Sequence, residues 1–250
     1  PTDVLTDLRD AQGALMGYAL FVGGTRQTEK YDLTGHLISV VGQDGQGITL
    51  SYTTTPSPAI GLLSTVTDSK GRQLIFTYDS SARLSVVKLP DGKGLSYSYG
   101  YSSSNLSQVV YPNDETRKYA YNESGFVGST SLPNALTGIT DERGVRYESI
   151  TYDDLGRATS SAFNGNVGTT RIAYQADGAS AVTYPLGNTV RIAPVSIDGL
   201  MRVASLDGPC TPDCGQPWQS RTYDARGFPA SMVDFNGVST QTTYDAFGLL

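Results

Sequence analysis

The 250-residue sequence holds one histidine, one tryptophan, two cysteines and three methionines. Each scarcity removes a class of function. The single His36 has no serine or cysteine partner in a recognisable motif, so it assembles no catalytic triad. Two cysteines with no histidine nearby are too few for a structural zinc. Charged residues make up only 17% and the formal net charge is −6. That balance argues against a basic face for nucleic acid and against electrostatic attachment to an anionic membrane. No apolar run approaches the roughly 20 residues that a spanning helix needs, so this segment is not expected to insert into a membrane. Long stretches of helix formers are missing too, and the best one, Asp7 to Leu15, is broken by Gly13. No glycine-rich stretch follows the strand-to-helix pattern of a phosphate loop. No cofactor is expected. The N-terminal Pro-Thr-Asp-Val-Leu lacks the basic and apolar regions of a signal peptide.

What is abundant is glycine, with 28 residues, and tyrosine, with 16. Tyrosine favours strands and glycine supplies turns. The two are arranged periodically. Tyr-Asp recurs at 31–32, 78–79, 152–153, 223–224 and 244–245, and degenerate copies stand at Tyr52, Tyr99, Tyr121, Tyr174 and Ile197-Asp198. The steps between anchors are 21, 26, 21, 22, 31, 22, 23, 26 and 21 residues. Internal periods of this size mark tandem repeats, and the longer steps read as loop insertions. The C-terminal Tyr244 to Leu250 opens a repeat without its second half, so a longer parent chain is expected.

The motif has a physical reading. Asp32-Leu33-Thr34-Gly35 places Asp first and Gly fourth, as a type I turn prefers. A left-handed Gly there makes the bulge of a tight hairpin. Asp153 with Gly156, Asp224 with Gly227 and Asp245 with Gly248 repeat the pattern. Gly125 and Gly178 keep the glycine after Tyr121 and Tyr174. Asp79 has Ala82 in the glycine slot, which is expected to strain the turn or change it. Half a period later come second turns, read as hairpin dipeptides: Lys70-Gly71, Asp91-Gly92, Arg143-Gly144 and Asn236-Gly237. Between turns, runs such as Gln73 to Tyr78 alternate with period two, the mark of half-buried strands. Two strands per repeat give about twenty strands. The expected fold is all-β: residues 1–30 form a diverged leading hairpin turning at Asp10 to Gly13, and residues 31–250 form about ten repeats, truncated at the C-terminus. Open sheets rarely exceed about ten strands without curling or splitting, so a sandwich, a propeller or a coiled strip can follow. Unpaired strands at both ends would make the isolated piece prone to association.

Candidate chemistry reads as structure. Asp153-Asp154 and Asp141-Glu142 are sequence neighbours that point apart in a strand or turn, so they form no facing carboxylate pair. Each motif Asp caps its own turn. Arg83, Arg157 and Arg202 are expected to pair with carboxylates of adjacent repeats. The tyrosines are expected to bury their rings and keep their hydroxyls at a polar edge, joining successive repeats. Cys210 and Cys214 flank a Pro-containing loop, where they can form a disulfide in an oxidising compartment or stay as thiols. No residue is assigned a catalytic or metal-binding role.

The run Tyr152-Asp153-Asp154-Leu155-Gly156-Arg157 resembles the YD repeat of bacterial Rhs proteins, which also occurs in toxin-complex shell components and in animal teneurins. The resemblance covers residues 31 to 250. It implies a long β-strip wound into a hollow shell. In bacterial members such a shell encloses a C-terminal toxin or effector domain, and in teneurins it supports cell-surface adhesion. It also implies a secreted or surface location, with the rest of the shell, its cargo, and a glycan or protein receptor as partners. The paired-aspartate core motif of the self-cleaving bacterial members does not occur within these residues.

Overall fold

A computed structural model describes residues 2–100, 104–208 and 218–249. Among these residues it is all-β, with 21 antiparallel strands and a single 3-10 turn at Asn164–Asn166. The chain divides into two units, residues 1–117 and 118–250. The boundary falls within the strand Thr116–Tyr121.

The first unit contains β1 (Val4–Arg9), β2 (Leu15–Val22), β3 (Gln27–Tyr31), β4 (Leu37–Gly42), β5 (Gly47–Tyr52), β6 (Leu63–Asp68), β7 (Gln73–Tyr78), β8 (Leu84–Lys88), β9 (Gly94–Tyr99) and β10 (Leu106–Val110). Every strand pairs with its chain neighbours, from β1–β2 through β9–β10, as an uninterrupted meander. Four-stranded propeller blades would break this ladder after every fourth strand. Residues 4–31 hold three strands, and Asp10 with Gly13 turns the first hairpin.

The second unit repeats the plan. Its strands are β11 (Thr116–Tyr121), β12 (Leu136–Thr140), β13 (Arg146–Tyr152), β14 (Ala158–Phe163), β15 (Val167–Tyr174), β16 (Ser180–Thr183), β17 (Thr189–Ile197), β18 (Leu200–Asp207), β19 (Ser220–Tyr223), β20 (Pro229–Val233) and β21 (Ser239–Gln241). They too pair in chain order. The ladder is thinnest at β18–β19, where Ser205 opposite Ser220 is the one aligned pair.

Residues directly opposite across a ladder share a face. Val40 and Ile48, Leu50 and Val66, Leu74, Phe76 and Val87, Leu95, Tyr97 and Val109 thus lie on one face of the first unit. Ser39, Thr49, Thr67, Gln73 and Ser96 lie on the other. In the second unit Tyr119, Ile139, Ile172, Val182, Val190, Ile192 and Leu206 oppose Lys118, Ser160, Arg171, Thr183 and Arg191. Each unit is therefore a two-faced sheet, apolar and Tyr-bearing on one side and rich in Ser and Thr on the other, where the second unit also places Arg171 and Arg191. Among the described residues no second layer covers the apolar side within either unit, and few side chains are fully buried. The exception is a small core in the second unit, where Val190, Leu206 and Trp218 pack with Tyr184, Ile192, Val203 and Met232. Where a sheet lacks a second layer, its strands must be held in line by contacts at their ends.

Candidate functional site

Those contacts centre on the Tyr-Asp turns. Tyr31, Tyr52, Tyr78, Tyr99, Tyr121, Tyr152, Tyr174 and Tyr223 are each the last residue of a strand. The ladder shifts register at most of them, including Tyr31, Tyr78, Tyr152 and Tyr223. That shift is a bulge, and it comes from the turn that follows. In the first copy the Gly35 amide donates to the Asp32 carbonyl at 3.1 Å, and the Asp32 amide donates to the His36 carbonyl at 3.0 Å. Asp32 Oδ1 accepts the amides of Thr34 and His36 at 2.9 Å each. Gly35 takes φ 87°. The same carboxylate-to-amide pair recurs at Asp79, Asp153, Asp224 and Asp245. Gly156, Gly227 and Gly248 are likewise left-handed. Ala82 keeps the same turn at φ 61°, so the Asp79 copy accepts the strained conformation rather than changing type.

The turn holds its carboxylate ionised. Hydrogen bonds, the Thr34 hydroxyl's first among them, lower Asp32 to about 2. The Arg83 amide leads in lowering Asp79, and the Arg157 guanidinium leads in lowering Asp153.

Two sequence readings of these turns are corrected. The second-edge turns are not two-residue dipeptide loops. Asp68, Asp141 and Asp234 each accept amides two and four residues on, as the Tyr-Asp aspartates do. Only Gly71, Gly144 and Gly237 are left-handed there, whereas a type I′ turn needs two consecutive positive φ values. In these three turns the aspartate two residues before the dipeptide decides the geometry. Asp198 and Gly199 do form a two-residue loop, with φ 49° and 79° and Ile197 opposite Leu200. Asp198 therefore caps no four-residue turn.

The arginines do not reach carboxylates of adjacent repeats. Arg83 Nε donates to Asp79 Oδ2 at 2.8 Å and Arg157 Nε to Asp153 Oδ2 at 2.8 Å, each within its own turn. Four residues across a tight turn is a shorter reach than a neighbouring repeat. What the guanidinium does reach in the next repeat is a ring. Arg83 lies 4.4 Å from the Tyr99 centroid and Arg157 lies 4.1 Å from that of Tyr174. Arg202 is 5.8 Å from Tyr223, and its Nε has no acceptor. Arg202 follows the two-residue Asp198-Gly199 loop, in which Asp198 caps no turn. His36 takes the same slot, stacked on Tyr52 at 4.5 Å and 25°. Phe228 takes it on Tyr244, at 4.9 Å and 29°.

The tyrosine completes the tie. The hydroxyls of Tyr52, Tyr78 and Tyr99 donate to the carbonyls of Leu37, Leu63 and Leu84 at 2.8 Å. Tyr152 and Tyr174 donate to Leu136 and Ala158 at 2.9 Å, and Tyr223 donates to Val203 at 2.8 Å. Except for Val203, the acceptor is the first residue of the preceding strand. Each hydroxyl thus spans the gap between one hairpin and the next along the same edge. Burial raises the pKa of Tyr52, Tyr78, Tyr99 and Tyr152, as fits phenols kept as donors. Tyr31 instead donates to Glu29 at 2.5 Å.

The 31-residue step contains a device that sequence reasoning missed. Asn122 Oδ1 accepts the Leu132 amide at 2.7 Å, so the segment after Tyr121 and Gly125 is closed by its far end instead of by a four-residue turn. Asp154 Oδ1 accepts the Ser129 hydroxyl at 2.9 Å and the Thr130 amide at 3.2 Å, docking this insertion on the next Tyr-Asp turn. Beneath it, Arg146 forks onto Glu123 at 3.0 and 2.8 Å and donates to the Thr137 carbonyl at 2.7 Å. The guanidinium occupies the space that a Cβ on Gly138 would fill, 1.8 Å from Cζ. At Gln175 the turn closes on Gly178, and the Arg191 guanidinium bonds both Gln175 and Asp177. Tyr147 and Phe163, 45% and 47% exposed, form a tilted aromatic pair at 5.3 Å. The signal for these contacts is long-range, and a one-dimensional motif scan does not see it.

Cys210 and Cys214 lie outside the described residues. Among the described residues no group of three or more His, Cys, Asp or Glu could hold a metal ion, and no helix is long and apolar enough to cross a membrane.

No protein-family model and no curated protein matches the chain. Solved structures do. Chains of the TcdB2-TccC3 complex, complete or without its hypervariable C-terminal region, match with TM-scores of 0.49 at 13% and 12% identity, over 96% of this chain and 16% of theirs. The Photorhabdus luminescens Tc holotoxin pore with a mutated TccC3 matches with a TM-score of 0.51 at 14% identity, over 98% of this chain and 16% of that one. The chain thus has the fold of a stretch of that Tc toxin chain, and spans 16% of its length.

Proposed function

We propose that this chain is a non-catalytic segment of an Rhs-type YD-repeat shell, which helps enclose a toxin or effector domain of a larger secreted or surface-displayed bacterial protein. The observation that carries the reading is the recurring tie. Tyrosine hydroxyls from Tyr52 to Tyr223 bond the carbonyl of the preceding strand in six copies. An active site is needed once, whereas a wall needs the same joint at every course. The fold likeness to a Tc holotoxin chain supports the same reading. Its partners are then the remainder of the shell and the enclosed domain. Limited proteolysis of the full-length protein containing this chain tests it. The enclosed domain should resist protease in the wild type and become cleavable when Tyr99 and Tyr174 are replaced by Ala. Equal sensitivity in both would refute the role.

A second reading, a glycan- or receptor-binding adhesion module, is favoured by the exposed Tyr147–Phe163 pair, since aromatic pairs open to solvent are frequent contact points. Binding on a glycan array that disappears with Tyr147→Ala would promote it.

A further inference from the structure

The chain's one histidine occupies a slot that other repeats fill with a permanent cation. Arg83, Arg157 and Arg202 stand over the next tyrosine and keep their charge at every physiological pH. Phe228 fills the slot with no charge at all. His36 alone can alternate between these two conditions, because imidazole is the side chain that changes charge between pH 5 and 8. We propose that His36 makes the tie between the first two Tyr-Asp hairpins pH-sensitive, tightening it when the ring is protonated.

The slot sets a carboxylate, a hydroxyl and an aromatic face against the ring. Nδ1 lies 3.3 Å from Asp32 Oδ2 and 2.8 Å from the Thr34 hydroxyl. Asp32, lowered to about 2, stays a carboxylate throughout the window in which an imidazole titrates. The ring stacks on Tyr52, whose electron-rich face attracts a cation more than a neutral ring. From the segment joining β5 and β6, Gly61 approaches the imidazole, with His36 Cε1 and Nε2 each 3.4 Å from where a Cβ would stand, and residues 53–62 carry no charge. On β3 the ionisable neighbours Glu29 and Tyr31 are bonded to each other. With the ring protonated, the first tie carries the charge that the arginine ties always carry. With the ring neutral, it is a ring stack like that of Phe228. Acidification would strengthen this joint and leave the others unchanged.

Hydrogen exchange of the 250-residue chain at pH 5.5 and pH 8, corrected for intrinsic rates, tests this. Protection of the segment 32–52 should be about threefold higher at pH 5.5 than at pH 8. The segment 79–99, closed by Arg83, should show no such change. His36→Arg should hold the acid-like protection at both pH values, and His36→Phe should hold the neutral-like protection at both. Phe228 on Tyr244 shows that the slot accepts phenylalanine, and protection of residues 79–99 reports whether each variant folds. A flat wild-type response, or the wild-type pH dependence persisting in the two variants, would overturn the proposal.

Discussion

Replacing Tyr99 with Phe removes one atom from the tie and leaves its ring in place beneath Arg83. The lost hydroxyl donates to the Leu84 carbonyl at 2.8 Å from a partly buried position. Net contributions of such bonds cluster near 1 kcal/mol, so Tyr99→Phe should cost about 1 kcal/mol. Successive ties are two strands apart, about 9.6 Å at the usual strand spacing. Effects separated by about 7–10 Å add to within a few tenths of a kcal/mol, so Tyr52→Phe, Tyr78→Phe and Tyr99→Phe together should cost about 3 kcal/mol. With a urea slope of about 2.5 kcal/mol/M, the single change lowers the unfolding midpoint by about 0.4 M and the triple change by about 1.2 M. Tyr99→Leu, which also removes the ring from beneath Arg83, should fall further than Tyr99→Phe. Tyr147→Phe, at an exposed ring, is the control and should leave the midpoint unchanged. Urea unfolding followed by circular dichroism reads all of these. If Tyr99→Phe matched the control, or the triple variant matched the single, the hydroxyls would not be the joints.

Other outcomes follow from the same geometry. The folded-state pKa values of Asp32, Asp79 and Asp153 lie below their unfolded values. The stability they add is therefore complete above their unfolded values and is lost as pH falls through their folded ones, about pH 2 for Asp32. An acid titration of the unfolding midpoint should show this fall, and Asp32→Asn should flatten its lowest part. Gly138→Ala places a Cβ 1.8 Å from the Arg146 Cζ and should cost about 1–3 kcal/mol. It should also free the 122–135 insertion, which chymotrypsin would then cut at Phe126. Ala82→Gly relieves a left-handed alanine worth about 1–2 kcal/mol and gives back about half of that as chain entropy. The unfolding midpoint should rise slightly, whereas the same exchange at Ala225, outside the glycine slot, should not raise it.

How far the sequence could be read depended on the span of each contact. Asp32, Asp153 and Asp224 each bond amides two and four residues away, so the D-x-x-G spacing carries the whole turn and is visible along the chain. The alternation in Gln73–Tyr78 likewise reports directly which residues share a face. The arginine slot was misjudged because two acceptors were chemically open to it, a near carboxylate and a far one. Reach decides between them, and reach is a property of the folded turn. The 122–135 insertion was legible as a long step and not as a docked segment, since its contacts run from Asp154 back to Ser129 and from Arg146 back to Glu123.

By itself the sequence determined the all-β class, the two-strand repeat, the turn at each Tyr-Asp and the alternation that makes the sheet two-faced. All of these rest on interactions within a few residues, where chain geometry leaves little choice. That the tyrosines join successive repeats was legible in the sequence, but tertiary structure alone decided which carbonyl each hydroxyl takes. A hydroxyl and its acceptor lie 15 to 20 residues apart, as with Tyr99 and Leu84 or Tyr223 and Val203, and only the register of the ladder brings them together. The ring slot is the same case: Arg83, His36 and Phe228 differ in chemistry, and they become equivalent only once the next strand end has been placed against them.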